Sequence, residues 1–257
     1  MSSGQWESPV KRKLRAGRPV VGGTITTSSI DAAAHMADAG FDFLWVEMEH
    51  SPVTLETLRN IVLATRGMTA LPFARVPVNE LWTAKRVLDA GVHGVIFPFT
   101  STPELARQAV AACHYPPLGR RGSGPTLAKF RWPDERGYHD SSDDTTTVIA
   151  IIEEAGAIEK IDEIAATPGL DVLFIGTNDL SFSLGLRGDQ KHPKLQEAIA
   201  RVVDAGTRNH VALGRPAGTP EQLKDYQQQG FQLFQAPTDL TFLSTGARQY
   251  LSSLASE

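Results

Sequence analysis

Short apolar runs alternate with longer amphipathic stretches along the whole chain. Eight runs have the composition of strands buried on both faces: "PVVGGTIT", "FDFLWVE", "LPFARV", "GVIFPF", "TTTVIAIIE", "DVLFIG", "HVALGR" and "FQLFQA". The stretches between them repeat apolar residues at helical spacing, and many end in Gly, which tolerates the left-handed conformation of a helix C-cap. Because parallel strands need crossovers and a closed sheet has no edge, this alternation predicts an α/β fold, the (β/α)8 TIM barrel.

The main competing architecture is an open, doubly wound sheet. Such a sheet would be expected to carry a G-x-G-x-x-G turn after its first strand, and "GGTIT" does not supply it. No linker divides the sequence, so residues 1–257 are predicted to form a single TIM-barrel domain. We expect an N-terminal helix at about 8–16 and a C-terminal helix at about 240–254.

Composition and charge exclude several classes of partner. The formal net charge of −4 gives no electrostatic case for nucleic acid or an anionic membrane. No apolar run approaches the roughly 18 residues that a membrane span needs. The one cysteine, Cys113, cannot form an internal disulfide, which fits a reducing compartment. We therefore expect a cytoplasmic protein that acts on small molecules, with no nucleic-acid or membrane partner.

Polar residues follow several strands at their C-terminal ends, where TIM barrels build their active sites. The second run finishes in two acids and an imidazole, and four further runs end in or are followed by charged groups. The candidate residues are Glu47, Glu49, His50, Arg75, Glu153, Asp179 and Arg215. Their convergence predicts a functional site at this mouth of the barrel.

Glu153 and Asp179 are candidate metal ligands, expected to lie on neighbouring strands at the same height. Two carboxylates with open positions for water and a bidentate oxygen ligand suit Mg²⁺ or Mn²⁺. Paired cysteines and an H-E-x-x-H motif are both missing, so a structural zinc site is excluded. The alternative is that both acids pair with arginines at the rim.

Arg75 and His50 are the candidate groups for substrate binding and proton transfer. Arg75 offers a planar donor fork in an otherwise apolar strand, which suits a carboxylate ligand, although pairing with Glu47 or Glu49 is an equal alternative. An imidazole exchanges protons near neutral pH, so His50 is a candidate general base. The alternative is a rim histidine with no chemical role.

The lysine positions exclude Schiff-base chemistry. A Schiff-base aldolase needs a lysine inside the barrel. The eight lysines here all lie on predicted helices or loops: Lys11, Lys13, Lys85, Lys129, Lys160, Lys191, Lys194 and Lys224. Carbonyl chemistry in this barrel would therefore require a metal to polarise the oxygen.

One connection, from Tyr115 to about Thr145, is too long for a simple helix-to-strand link. It is rich in Gly and Pro and carries several basic residues: Arg120, Arg121, Lys129 and Arg131. Two interpretations are open. The segment packs against another subunit, or its backbone N–H groups form an anion-binding loop.

A set of segments, running in order from about Leu14 to Ala247, resembles the HpcH/HpaI aldolases. They are "AGRP", "GFDFLWVEMEH", "FARV", "LDAGVHGVIFP", "YPPLGRRGSG", "IIEEAGAIEKIDEIAATPGLDVLFIGTNDLS" and "HPKLQEAI". These are metal-dependent class II pyruvate aldolases, similar to 2-dehydro-3-deoxyglucarate aldolase, on a TIM barrel of the phosphoenolpyruvate/pyruvate type. The resemblance implies reversible cleavage of a 4-hydroxy-2-oxo acid to pyruvate, or a close 2-oxo acid, and an aldehyde.

The resemblance also implies a role for each site residue. Glu153 and Asp179 would bind Mg²⁺, Mn²⁺ or Co²⁺, and Arg75 would lie near the keto oxygen of the donor. Two further sets of groups complete the implied site. The backbone N–H groups of Gly176, Thr177 and Asn178 would receive the donor carboxylate, His50 would be the acid/base, and Glu47 and Glu49 would support it.

The resemblance implies a shared site as well. An Asp matching Asp89 orients the histidine of an adjacent subunit in this family. Asp89 ends the helix before the fourth strand, at the bottom of its own barrel, so it could not reach its own mouth. The implied assembly is a homo-oligomer, commonly a hexamer arranged as a trimer of dimers, whose C-terminal helices exchange between subunits.

Some positions depart from the family pattern. Glu47 stands where Asp is common, Ile151 replaces a Gln near the metal, Thr24 replaces an aromatic residue of the acceptor pocket, and Asn178 replaces a small residue. These changes leave open which aldehyde is the acceptor.

Two alternative functions also remain. The first is an acyl-CoA ester lyase of the citrate lyase or malyl-CoA lyase type, with the Tyr115–Thr145 segment as its nucleotide site. The second is a barrel that binds a 2-oxo acid without turning it over.

Overall fold

The eight apolar runs form a closed barrel of parallel strands in chain order. A computed structural model of the chain describes residues 7–133 and 137–254. Each strand pairs with the next, and the eighth closes on the first. The strands are β1 (Val20–Ile25), β2 (Phe43–Glu47), β3 (Leu71–Arg75), β4 (Gly94–Phe97), β5 (Thr147–Ile152), β6 (Val172–Ile175), β7 (Ala212–Pro216) and β8 (Leu233–Thr238). The predicted TIM barrel is confirmed.

Helices connect the strands and surround the barrel. They are α1 (Pro9–Arg15), α2 (Ile30–Asp38), α3 (Leu55–Ala64), α4 (Leu81–Ala90), α5 (Pro103–Cys113), α6 (Thr126–Arg131), α7 (Tyr138–Thr145), α8 (Ala155–Glu159), α9 (Ile161–Ala165), α10 (Thr177–Ser183), α11 (Pro193–Arg208), α12 (Pro220–Gln228) and α13 (Asp239–Leu254). Several begin at a side-chain cap, as where the hydroxyl of Thr54 accepts from the N–H of Thr57. Helix α4 ends at Gly91, whose φ of 106° turns the chain into β4.

Aromatic rings fill the barrel interior where neighbouring strands carry glycine. Phe43 and Phe73 stack with ring centroids 4.8 Å apart. A Cβ on Gly22 would lie 2.2 Å from the Phe43 ring, and one on Gly94 would lie 2.6 Å from the Phe73 ring. The glycines in these strands therefore make room for large side chains from the adjacent strands, which pack the interior to the density of a protein core.

Helix α13 is fixed to the mouth of the barrel by its first residue. The carboxylate of Asp239 accepts hydrogen bonds from the N–H and hydroxyl groups of both Thr26 and Thr27, at 2.6–3.1 Å. Burial alone would raise the pKa of Asp239, but these four hydrogen bonds hold it below its ordinary range. Much of the rest of α13 is exposed, including Leu243 and Leu251, and its exchange between subunits stays a prediction.

The described parts of the Tyr115–Thr145 segment, which leave out residues 134–136, contain two helices, α6 and α7, and pack against the outside and bottom of the same barrel. Arg131 is buried and donates to the carbonyls of Val62 and Thr65, both at 2.9 Å, while the Trp132 indole donates to the Gly91 carbonyl at 2.8 Å. The donors of Arg131 are therefore taken by backbone carbonyls of its own subunit. Both interpretations of the segment, a subunit contact and an anion-binding loop of backbone N–H groups, stay predictions. Among the described residues, no helix is long and apolar enough to cross a membrane.

Candidate active site

The inward-facing positions of three strands become charged at the mouth. Along β2 the interior residues are Phe43, Trp45 and then Glu47, which is paired in register with Arg75 at the end of β3. On β5 the interior residue Ile151 is followed two positions later by Glu153. Because side chains alternate between the two faces of a strand, these polar groups point into the same space directly above the apolar interior.

Glu47 organises the chain that follows β2. One carboxylate oxygen accepts from the indole N–H of Trp45 at 3.2 Å, and the other accepts from the backbone N–H groups of Glu49 at 2.8 Å and His50 at 3.0 Å. These bonds fold the segment after the strand back over the mouth. Glu47 therefore holds the backbone of Glu49 and His50 in place, while its supporting role in catalysis stays a prediction.

Arg75 is shared by two acids in the site. Its Nε lies 3.0 Å from Oε2 of Glu47 and 2.8 Å from Oε2 of Glu49. The Glu49 contact has the distance of an ion pair without hydrogen-bond geometry, since Oε2 of Glu49 has no hydrogen-bond partner among the described residues. The internal pairing that the sequence left open is thus present, and it uses the Nε side of the guanidinium.

Glu153 is buried and closely held. Its Oε1 accepts from the backbone N–H of Phe99 at 2.6 Å, and Phe99 reaches this position with a left-handed φ of 49°. A Cβ on Gly176 would lie only 2.9 Å from Cβ of Glu153, so glycine is required beside it. Burial raises the pKa of Glu153 to about 7, opposed by the Phe99 N–H and Arg75.

Asp179 lies in the first turn of α10 and not on a strand, which corrects the expected placement. Its negative charge still reaches the other acids, adding to the burial that raises the pKa of Glu153 and of Glu49. The N–H of Gly176 was expected to bind a substrate carboxylate, but it donates to the carbonyl of Ile152 at 3.1 Å. The first-turn N–H groups of Thr177 and Asn178 are therefore the candidate donors at this helix end.

The donor set fits a divalent cation held by few protein ligands. Glu153 is buried beside Gly176, Asp179 follows in the first turn of α10, and Arg75 Nε is shared by Glu47 and Glu49, so acids outnumber the arginine at this mouth. A dication would offset this surplus of negative charge. Within residues 7–133 and 137–254, no three or more His, Cys, Asp or Glu side chains are grouped closely enough to hold one ion. A cation at this mouth would therefore take at most two such side chains of the described residues as ligands and leave positions for water and substrate, as Mg²⁺ and Mn²⁺ commonly bind.

His50 stands at the rim of this group. Its Nε2 lies 3.6 Å from Oε2 of Glu49, and its side chain is 64% exposed. The imidazole therefore borders the acidic mouth and remains open to another molecule.

Comparison with known proteins identifies the family. The family model described as HpcH/HpaI aldolase/citrate lyase matches residues 25–245. The chain belongs to this family. It is 35% identical, over 91% of its length and 92% of the relative's, to a 2-dehydro-3,6-dideoxy-6-sulfogluconate aldolase of Pseudomonas putida. It is 34% identical to a hydroxypyruvate/pyruvate aldolase of Paraburkholderia phytofirmans, over 97% of the chain and 98% of the relative.

A solved structure supports the same conclusion. The crystal structure of an HpcH/HpaI aldolase/citrate lyase family protein from Burkholderia cenocepacia has a TM-score of 0.90 with 34% identity, covering 96% of this chain and 99% of that one. The expected resemblance to HpcH/HpaI aldolases is therefore confirmed. The names of these relatives favour the predicted aldolase over the acyl-CoA lyase and over a barrel without activity.

Other residues predicted for this HpcH/HpaI site lie elsewhere. Asp89 is in the last turn of α4, away from its own mouth, as expected. The Thr24 hydroxyl is buried and donates to the carbonyl of Ala236, so it does not line an open acceptor pocket. Arg215 was placed at the rim from the sequence, but its guanidinium stacks 3.5 Å from the centroid of the Tyr226 ring.

Two site-forming residues were missed from the sequence. Trp45 donates to Glu47 from below, and Phe99 presents its backbone N–H to Glu153. The alternation along "FDFLWVE" places Trp45 on the same face as Glu47 and could have identified it. The role of Phe99 depends on a backbone conformation that the sequence does not signal.

Proposed function

We propose that this protein is a divalent-metal-dependent aldolase that reversibly cleaves a 4-hydroxy-2-oxo acid to pyruvate, or a close 2-oxo acid, and an aldehyde. The observation that carries the proposal is the set of charged residues at the mouth of an HpcH/HpaI barrel: Arg75 contacts Glu47 and Glu49, Glu153 is buried beside Gly176, and Asp179 follows in the first turn of α10. Such a group suits a dication and an anionic substrate together. The predicted cytoplasmic location stays a prediction.

Glu153 and Asp179 are the proposed metal ligands, and Mg²⁺, Mn²⁺ or Co²⁺ is the proposed cofactor. When bound, the cation would polarise the keto oxygen of the substrate and offset negative charge that develops on it. The N–H of Phe99 and the glycine at position 176 fix the carboxylate of Glu153. Its orientation is therefore set before any ligand arrives.

Arg75 is the proposed partner of the donor's keto oxygen. Glu47 and Glu49 engage its Nε, which leaves its terminal NH₂ groups to face the substrate. These donors lie where negative charge grows as the carbon–carbon bond breaks, and there a preorganised donor contributes most. The N–H groups of Thr177 and Asn178 would receive the donor carboxylate, while Gly176 shapes the turn.

His50 is the proposed acid/base. In the cleavage direction its imidazole would take the proton of the C4 hydroxyl, and in the synthetic direction it would return it. Its exposure leaves the ring without a firm orientation in one subunit. We propose that Asp89 of a neighbouring subunit orients it in a homo-oligomer, with the hexameric trimer of dimers as the predicted assembly.

Removal of the two metal ligands tests this function. Glu153→Gln combined with Asp179→Asn should abolish both Mn²⁺ binding and aldol cleavage, because neutral amides replace the two anionic ligands. Glu163→Gln, on an exposed face of α9, is the matched control and should change neither. A chelator should abolish wild-type cleavage reversibly, and full activity in metal-free buffer would reject the proposal.

The acceptor can be identified by a panel of aldehydes. Pyruvate and hydroxypyruvate would be compared as donors with each aldehyde, under Mg²⁺, Mn²⁺ and Co²⁺. Ile151 forms an apolar floor next to Gly176 and offers no hydrogen bond to a hydroxylated donor. We therefore expect Ile151→Gln to favour hydroxypyruvate over pyruvate relative to the wild type, measured as the ratio of kcat/KM values.

A further inference from the structure

Arg121 is a fully buried cation outside the mouth of the barrel. Its side chain has no exposed surface, and its guanidinium lies over the rings of Tyr115 and Tyr138, 4.6 and 5.4 Å from their centroids. Nη2 donates to Oδ1 of Asp89 and to the hydroxyl of Tyr138, both at 3.1 Å. Nε and Nη1 have no hydrogen-bond partner among the described residues. The guanidinium of Arg121 is therefore held mainly by the two aromatic rings, and only its Nη2 makes hydrogen bonds.

Asp89 is the acid paired with this cation. A buried guanidinium without a counter-charge is strongly unfavourable, so Asp89 supplies the counter-charge and the pair holds one of its oxygens in place. The Tyr138 hydroxyl and the rings of Tyr115 and Tyr138 contact the guanidinium and hold the pair in place. Arg121 thus sets the direction of the carboxylate.

The second oxygen of Asp89 faces open space. The side chain is 22% exposed, and a Cβ on Gly124 would lie 3.1 Å from Oδ2. The residue lines a cavity of about 700 Å³ on the outer wall of the barrel, between α3, α4 and the start of α6. Glycine at position 124 therefore keeps Oδ2 accessible from outside the subunit.

The accessible oxygen cannot serve its own mouth. Asp89 is the ninth residue of the ten-residue α4, which starts near the mouth and runs to the other end of the barrel, a length of about 15 Å at 1.5 Å per residue. His50 is exposed at the mouth and lacks a fixed partner other than Glu49. The partly exposed Asp89 and the exposed His50 of one chain therefore lie at opposite ends of the barrel, so a contact between these two side chains requires two copies.

We propose that Arg121 is a positioning residue that acts across the subunit boundary: it holds Asp89 so that Oδ2 reaches the His50 imidazole of a neighbouring copy. The inference rests on the proposed role of Asp89 and extends it to a residue behind the interface. Arg121 touches no substrate. Its effect on cleavage passes through Asp89 to the neighbouring site.

Arg121→Met tests this role because methionine fills much of the same space without charge or donors. We expect kcat to fall about 10- to 100-fold, the range seen when a supporting hydrogen bond behind a site is lost, with Mn²⁺ binding unchanged. Tyr138→Phe keeps the ring and removes one acceptor, so a smaller loss is expected. Arg120→Met, at the exposed neighbouring arginine, is the matched control and should retain wild-type kcat.

Mixed oligomers separate this role from a purely structural one. A His50→Ala chain lacks the base but has an intact Asp89 side, whereas an Arg121→Met chain has the base but a misplaced Asp89. Random mixing of the two chains would create wild-type combinations at about a quarter of the sites. We therefore expect activity well above that of either parent, and the same recovery when Asp89→Ala replaces Arg121→Met.

Each other result has a definite meaning. Wild-type kcat in Arg121→Met would overturn the inference, and so would recovery with Asp89→Ala but none with Arg121→Met, because Arg121 would then act within its own subunit. If Arg121→Met fails to fold, Tyr138→Phe and Arg121→Lys take its place in the same mixtures, where no recovery overturns the inference. An inactive wild-type protein would overturn the proposed function itself, together with this extension of it.

Discussion

Removing the negative charge of Glu153 should stabilise the metal-free protein, although it should abolish activity. Burial raises the pKa of this carboxyl from its ordinary value of 4.5 to about 7. At 1.36 kcal/mol per pKa unit, the folded protein disfavours the ionised form by roughly 3 kcal/mol. Such a cost is expected at a carboxylate whose proposed role is to bind a cation.

The sign of the pH dependence follows from the raised pKa. As the pH rises, the unfolded chain releases this proton first, so the folded state loses stability between pH 4.5 and about pH 7. The penalty is absent below this window and fully present above it. Glutamine is neutral throughout and still accepts from the Phe99 N–H, so Glu153→Gln should remove the penalty without breaking that bond.

Thermal unfolding of chelator-treated protein at pH 5 and pH 8 measures the effect. At pH 8 we expect Glu153→Gln to unfold roughly 6–12 °C above the wild type, since 1 kcal/mol shifts Tm by about 2–4 °C in a chain of this size. At pH 5 the difference should nearly vanish. Added Mn²⁺ should raise the Tm of the wild type alone at pH 8.

The control for this measurement is Glu163→Gln, which changes an exposed acid on α9 and should leave Tm unchanged at both pH values. A Glu153→Gln protein less stable than the wild type at pH 8 would refute the reasoning. So would an increase of equal size at both pH values, because the effect would then not come from ionisation.

Three further predictions follow from other contacts. Gly94→Ala should destabilise the protein by about 1–3 kcal/mol in urea unfolding, since its Cβ would lie 2.6 Å from the Phe73 ring; an unchanged midpoint would show that the ring can move. Asp239→Asn should lower the free energy of unfolding at pH 7 by about 1–3 kcal/mol, because ionised Asp239 accepts four hydrogen bonds. The difference from the wild type should shrink as the pH falls through the lowered pKa of Asp239. A difference that stays constant with pH would contradict this prediction. His50→Ala should slow cleavage by about 10²–10⁴-fold while Mn²⁺ still binds, and an unchanged rate would remove His50 from the role of base.

The sequence predicted the barrel because its two kinds of element have different patterns. A strand buried on both faces is a short apolar run, whereas a helix repeats apolar residues at helical spacing. The sequence also predicted which residues meet at the mouth, since the end of every parallel strand lies on the same side. Glu47, Arg75 and Glu153 follow from this rule alone. Asp179 departs from this rule, because β6 ends before it and Asp179 lies in the first turn of the next helix, α10.

Other features depend on contacts between distant parts of the chain. Arg215 looked like a rim residue, but its neighbour Gly214 faces the interior ring of Phe174, so Arg215 points outward to Tyr226. Counting the alternation from Gly214 would have revealed this. No such count predicts that Phe99 adopts a left-handed φ.

The basic Tyr115–Thr145 segment shows the same limit. Its composition suggested an anion-binding loop or a subunit contact. The sequence did not indicate which of its arginines are buried and which are exposed. In the structure Arg121 and Arg131 are buried donors, whereas Arg120 is exposed. Burial of a particular arginine depends on the partners that tertiary packing brings to it. For Arg121 these partners are Asp89 and Tyr138.

The central claim is that Glu153 and Asp179 hold one divalent cation together. A crystal structure of the protein with Mn²⁺ and oxalate, a stable mimic of the pyruvate fragment, measures this directly through the anomalous signal of manganese. We predict one manganese peak at the mouth, bonded to an oxygen of each of these two side chains and to oxalate. A peak elsewhere, or both side chains turned away from the ion, would contradict the account.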